Sequence, residues 1–226
     1  MEEKIVALIS IGQSPRRDLT GDFENTCGTD FRFLDIGALD NLSMAQIAGL
    51  APKAGEAGLI TKLRNGRVSY VAHAKIQHYI EQALNKAVEN GAKQAVVACT
   101  GEFSCQHPQL SVIIPNQVLA SEVAGILKQG DKLAVLVPMP GQVGEATLRW
   151  EKRGFSVSKT IVANPFVNQQ VLLDAICRDP IIQSTQALIA DCFGFTIAFF
   201  NQAVQVYDKP IFLSRKLIGN RLLSGD

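Results

Sequence analysis

With 226 residues, 47% of them hydrophobic, the chain has material for one large domain or two small ones, each with its own core. Its 22 basic and 21 acidic residues leave a formal charge of +1, which excludes the strong field that nucleic acid or an anionic membrane surface would require. Five cysteines, an odd number without any Cys-x-x-Cys pair, suit a reducing compartment better than a disulfide scaffold.

Met1-Glu2-Glu3-Lys4 is acidic, and the apolar run behind it ends by Ile11, too short for a signal core or a membrane span, so a cytoplasmic location is expected. Lys4–Ser10 reads as a buried strand that opens onto Gly12, Gln13, Ser14, Pro15 and Arg16. Ser14 before Pro15 matches a helix N-cap with proline in the first helical position, leaving backbone N–H groups free for an anion. Gly12, Gln13, Ser14 and Arg16 are therefore candidate carboxylate ligands; the alternative is a plain cap with solvated arginines.

Residues 31–36 read as a second strand and 42–50 as a short helix stopped by Pro52. The segments 59–64 and 67–72 alternate around Asn65-Gly66, which predicts a hairpin with a type I′ turn, an arm or edge addition to the fold. Apolar residues at helical spacing mark 73–90 as an amphipathic helix ending at Gly91, and His73 and His78 read as ordinary members of it.

The next strand carries the first chemical signal. Gln94–Ala98 is an apolar run that delivers Cys99 to a strand end, followed by Thr100 and Gly101. A short strand at 111–114 and a helix from 115 or 116 to about 129 follow. The pattern then restarts: 132–138 echoes the first strand, and helix 148–153, strand 157–163 and helix 167–177 precede Ala187–Asp191. That strand delivers Cys192, then Phe193 and Gly194, the same Cys-x-Gly design a second time. A helix over 196–206, a strand over 210–213 and a helix over 215–223 close the chain.

Regular alternation of strand and helix predicts an α/β fold of two Rossmann-like lobes, residues 1–114 plus 214–226 and residues 115–213. Each lobe would hold a short parallel sheet, related to the other by pseudo-twofold symmetry about a cleft, with the hairpin in the first lobe. Loops beyond the carboxyl ends of parallel strands are where ligands bind, so both thiols stand where chemistry can occur. A single buried cysteine is also an ordinary core residue, since it packs as a small hydrophobe. Two thiols serving one small ligand would suit a two-base reaction, in which one group removes a proton and the other supplies one. Asp191 and Glu102 can orient the thiols or cap helices. Cys105-Gln106-His107 alone lacks the three or four ligands of a zinc site, so no metal is expected.

The duplicated strand-Cys-x-Gly design, the Ile-Gly-Gln-Ser-Pro-Arg opening at 11–16 and the Ala-Pro-Lys-Ala-Gly-Glu segment at 51–56 resemble the AroM family over nearly the whole chain. That family is similar in turn to the aspartate/glutamate (hydantoin) racemase superfamily, enzymes that work without a cofactor. The resemblance implies Cys99 and Cys192 as an acid/base pair. It also implies Ser14, Thr100 and loop N–H groups, those of Gly101 and Gly194 among them, as holders of a substrate carboxylate. One departure is visible: racemases of that superfamily tend to place Asn-Thr or Thr after each cysteine, whereas Cys192 is followed by Phe193 and Gly194. Three readings stand: a racemase or isomerase, with a one-cysteine decarboxylase as its variant; a small-carboxylate-binding protein without turnover; and a regulatory partner or homodimer using the 59–72 arm.

Overall fold

The computed structural model describes residues 3–167 and 169–225. Met1 and Glu2 of the acidic lead-in, Asn168 of the expected 167–177 helix and Asp226 lie outside the described residues. The chain divides into two compact units, Met1–Asn116 with Gly219–Asp226, and Gln117–Ile218.

In the first unit the elements run β1 (Lys4–Ser10), α1 (Arg17–Cys27), β2 (Phe31–Gly37), α2 (Met44–Gly49), β3 (Gly58–Lys62), β4 (Val68–Ala72), α3 (His73–Glu89), β5 (Gln94–Val97), β6 (Ser111–Ile113) and the start of α4 (Pro115–Ile126). Four strands form one parallel sheet in the order β2-β1-β5-β6. The central strands are apolar on both faces because helices cover both, and Val6 to Ile9 and Ala95 to Val97 are fully buried.

The hairpin β3–β4 is an antiparallel sheet of its own, with Lys62 paired to Val68. Its inner residues Leu59, Leu63 and Val71 belong to the core cluster of the unit, together with Ile76 and Ile80 of α3. The turn differs from the expected type I′. Gly66 donates to Leu63 O at 2.9 Å and Leu63 to Arg67 O at 2.8 Å, with Gly66 alone left-handed at φ +82°. Type I′ needs two left-handed residues, and no described non-glycine residue has positive φ, so the hairpin closes by a type I turn and a glycine bulge.

The first helix also starts later than expected. Arg16 is its N-cap residue and Arg17 its first residue, and the Ser14–Pro15 peptide is cis. Ser14 does not cap the helix because it lies two residues ahead of the N-cap position, where its hydroxyl donates to Asp40 Oδ2 at 2.7 Å.

The second unit continues α4, then β7 (Lys132–Val137), α5 (Val143–Lys152), β8 (Ser156–Val162), α6 (Gln170–Arg178), α7 (Pro180–Gln183), β9 (Ala187–Ala190), α8 (Ile197–Ala203), β10 (Ile211–Leu213) and the start of α9 (Ser214–Ser224), whose residues from Gly219 on belong to the first unit. Its sheet is also parallel throughout, in the order β8-β7-β9-β10. Matching β1, β2, β5 and β6 with β7, β8, β9 and β10 makes the two strand orders the same. The second core is built by Val135, Ile189, Trp150 and Phe212, with Leu119 and Val123 of α4 against them.

Candidate active site

Each cysteine is set by the strand it follows. In the first unit Ala98 extends the β1–β5 ladder by donating to Ile9 O at 2.8 Å, and Cys99 is the next residue. In the second, Asp191 extends the β7–β9 ladder by donating to Leu136 O at 3.0 Å, and Cys192 is the next residue. Each thiol is therefore two residues beyond the end of its strand. The local geometry repeats as well: Cys99 Sγ accepts the N–H of Gly101 at 3.4 Å, and Cys192 Sγ that of Gly194, also at 3.4 Å. Both cysteines are 9% exposed.

The glycine of the motif has a packing reason in the second unit. A Cβ on Gly194 would lie 2.5 Å from Pro165 Cγ, so the loop after β8 closes on the cysteine loop through the space a side chain would fill. In the first unit a Cβ on Gly101 would press on the Phe103 ring at 3.0 Å.

The loop after β1 holds the other expected ligands, and they are engaged with one another's neighbourhood. Asp40 is the hub. Its carboxylate accepts from the backbone N–H and hydroxyl of Ser14, both at 2.7 Å, from Gly37 N–H at 2.9 Å and from Arg64 Nη2 at 3.1 Å. Gln13 donates its amide to Leu39 O at 3.2 Å. Arg16, itself buried, closes both arms of its guanidinium on Asp18 at 2.8 Å, and its backbone N–H donates to Asp35. Gly12 lies against the hairpin: a Cβ there would be 2.2 Å from Lys62 O. Burial pushes the Asp35 carboxyl above the ordinary aspartate range, against the lowering effect of the Arg16 N–H and charge.

Sequence reasoning missed several contacts. His73 is more than a helix residue: its Nε2 meets Glu102 O at 2.9 Å, and its ring packs 4.9 Å from that of Phe103, so α3 grips the loop carrying Cys99. In a neutral ring the nitrogen facing a carbonyl carries the proton. Asn116 donates to Thr100 O at 2.8 Å, and Arg215 donates to Phe193 O at 2.8 Å and Gly194 O at 3.3 Å. Asp191, directly before Cys192, is held by Arg149 Nη2 at 2.6 Å and the Trp150 indole at 3.1 Å. All are contacts between residues far apart in the chain, which periodicity does not reveal. Of the remaining cysteines, Cys177 is exposed, while burial raises the thiol pKa of Cys27 and Cys105. Among the described residues no group of three metal-ligating side chains is gathered, and no helix is long and apolar enough to cross a membrane.

The sequence matches the AroM protein family over residues 6–224. The chain belongs to the AroM family. No curated protein matches it. Among solved structures, a maleate cis-trans isomerase from Nocardia farcinica bound to TRIS superposes with a TM-score of 0.66 at 12% identity, covering 98% of this chain and 91% of that one. Arylmalonate decarboxylase gives 0.63 at 9% identity, covering 98% and 93%. Aspartate racemase from Picrophilus torridus gives 0.58 at 14% identity, covering 98% and 94%. At these identities the AroM chain shares their fold.

Proposed function

We propose that this AroM family protein is an enzyme of the racemase and isomerase kind, acting on a small carboxylate through the thiols of Cys99 and Cys192. The observation that carries the reading is the repetition of the thiol setting: the same offset from the strand end, the same glycine N–H on sulfur and the same slight exposure. Packing alone has no need to repeat a hydrogen bond to sulfur. The names of the similar structures add support, since a maleate isomerase, an arylmalonate decarboxylase and an aspartate racemase all act on carboxylates.

In this reading one thiolate takes the proton from the carbon beside the carboxylate, and the other cysteine, as thiol, returns a proton to that carbon. The first sulfur ends protonated and the second ends as thiolate, so the charge is unchanged and the two exchange roles for the reverse reaction. The N–H of Gly101 or Gly194 stabilises the thiolate form by hydrogen bonding. Gly12, Gln13, Ser14, Arg16 and Thr100 remain the proposed carboxylate-binding set, with the requirement that a substrate must compete with Asp40 and Asp18 for the donors of Ser14 and Arg16.

A second reading, one-cysteine decarboxylation, is favoured by the unlike residues Thr100 and Phe193 after the two thiols. Carbon dioxide would leave with the carbon–carbon bond broken, and a single thiol would protonate the resulting carbanion. Incubating a panel of chiral 2-substituted acids, maleate and arylmalonates in D₂O decides between them. Two-base chemistry predicts deuterium at the inverted carbon and a loss of about 10²- to 10⁴-fold in rate for both Cys99→Ser and Cys192→Ser. Decarboxylation predicts release of carbon dioxide and sensitivity to one substitution only. Unchanged turnover in both variants would end either reading.

A further inference from the structure

The cysteine loops are held by one more repeated device. β6 is the edge strand beside β5, and the helix after it, α4, begins Pro115-Asn116; β10 is the edge strand beside β9, and the helix after it, α9, begins Ser214-Arg215. In both units the second residue of that helix reaches to the carbonyl of the residue just after the cysteine. Asn116 Nδ2 donates to Thr100 O at 2.8 Å, and Arg215 Nε to Phe193 O at 2.8 Å with Nη2 on Gly194 O at 3.3 Å.

We infer that Asn116 and Arg215 are equivalent positioning residues, each fixing the loop that presents the thiol of its own unit. This rests on Cys99 and Cys192 being the working thiols. Helix formation does not select either residue. Asparagine is a weak helix former, and an arginine in the first turn stands against the helix dipole. Burial to 4% for Asn116 and 1% for Arg215 adds a desolvation cost that only well-made hydrogen bonds offset. The carbonyl each one holds is attached to the short segment whose next N–H, that of Gly101 or Gly194, lies on the thiol. Fixing the carbonyl therefore fixes the direction of the donor that sulfur receives. The chemistry differs where the loops differ: a single amide suffices for Thr100, whereas the planar fork of arginine spans the adjacent carbonyls of Phe193 and Gly194 and lies 6.0 Å from the Phe193 ring.

The test reads thiol reactivity and needs no substrate. In a Cys177→Ser background, which removes the exposed thiol, iodoacetamide labelling of Cys99 and Cys192 is followed separately by peptide mass spectrometry. Asn116→Ala, and the isosteric Asn116→Asp that cannot donate, should raise the labelling rate of Cys99 by about tenfold through local opening of its loop, and leave Cys192 within about twofold of the parent. Arg215→Met should do the reverse, and Arg215→Lys, which keeps a donor, should fall between Arg215→Met and the parent. Should Arg215→Met not fold, the two Asn116 variants and Arg215→Lys still give the reciprocal pattern. Rates unchanged at both cysteines, or raised equally at both in every variant, would overturn the inference. Turnover is not read, so a protein that racemises nothing can still show the pattern.

Discussion

Asp191 places Oδ2 2.6 Å from Nη2 of Arg149, one residue ahead of Cys192, with 1% of the aspartate side chain exposed. The Trp150 indole donates to the same oxygen at 3.1 Å, so a charged pair and an aromatic donor from α5 lock the end of β9. Breaking a buried pair from one side leaves an uncompensated charge, which costs about 3–5 kcal/mol. Arg149→Met should therefore lower the stability of the second unit by that order. The chain has one tryptophan, and Trp150 is fully buried in this unit, so urea unfolding followed by its fluorescence reads the loss directly. A midpoint equal to the parent's would show that the pair contributes nothing.

How much of this was legible in the sequence depends on whether a feature is local. The strands bearing Cys99 and Cys192 and the two parallel sheets follow from apolar runs that end in Cys-x-Gly, a pattern contained within ten residues. The short helix α7 was missed, although Asp179-Pro180 is a local cap and first-turn pattern: Asp179 accepts from Ile181 N–H at 2.8 Å. The anchors were not legible. Asp40 meets Ser14 across 26 positions, His73 meets Glu102 across 29 and Arg215 meets Phe193 across 22, and no periodicity links such partners. The expected Ser14 cap was displaced as well: the helix starts at Arg17 with Arg16 as its N-cap, while Ser14 is tied through its N–H and hydroxyl to the distant Asp40.

Two glycines separate tolerance from close approach. Gly21 lies in α1, and a methyl group added to it would meet nothing within 4 Å, so Gly21→Ala should stabilise by about 0.5–1 kcal/mol through the lower entropy of the unfolded chain. A methyl group on Gly12 would lie 2.2 Å from the backbone oxygen of Lys62, and that oxygen also accepts Gln13 N–H at 3.3 Å. Gly12→Ala must push the hairpin off the β1 loop, at a cost of about 1–3 kcal/mol. Thermal melting of both variants checks the pair, and equal melting temperatures would contradict the contact.

The hairpin itself should be indispensable to the first unit. Deleting residues 59–72 removes Leu59, Leu63 and Val71 from the core and exposes the face of α3 that holds Ile76 and Ile80. Loss of the three deleted side chains at about 2–5 kcal/mol each is comparable to the whole stability of a typical domain. The expected product is insoluble or lacks cooperative unfolding. A folded, cooperative deletion variant would instead make 59–72 a dispensable arm.

Asp35 gives a dependence on pH whose sign can be worked out. Burial lifts its folded carboxyl above the ordinary aspartate value, so the folded state prefers the protonated form. Below the ordinary value both states hold the proton and the contribution is complete. As the pH rises the unfolded chain ionises first, and stability is lost until the raised folded value is passed. Asp35→Asn cannot ionise, so its stability relative to the parent should increase with pH across that window, whatever constant offset the new amide brings. Urea midpoints of both proteins between about pH 3 and 7 give the difference, and a flat or falling difference would show that Asp35 does not set this dependence.

The five thiols should label in an order set by exposure and burial. Cys177 is exposed on α6 and should react first. Cys27 and Cys105 are buried, and burial pushes their thiols above the ordinary range; Gln77 opposes this at Cys105 by donating to its sulfur at 3.5 Å. Since the thiolate is the nucleophile, a raised pKa leaves less of it at neutral pH, and these two should label only under denaturing conditions. A working pair at Cys99 and Cys192 must remain reachable by a small molecule, so both should label in the native protein after Cys177, and a bound carboxylate should slow them together. Protection of one alone would point to the one-cysteine reading. Labelling of Cys27 and Cys105 as fast as Cys99 and Cys192 would show that the two strand-end thiols have no special access.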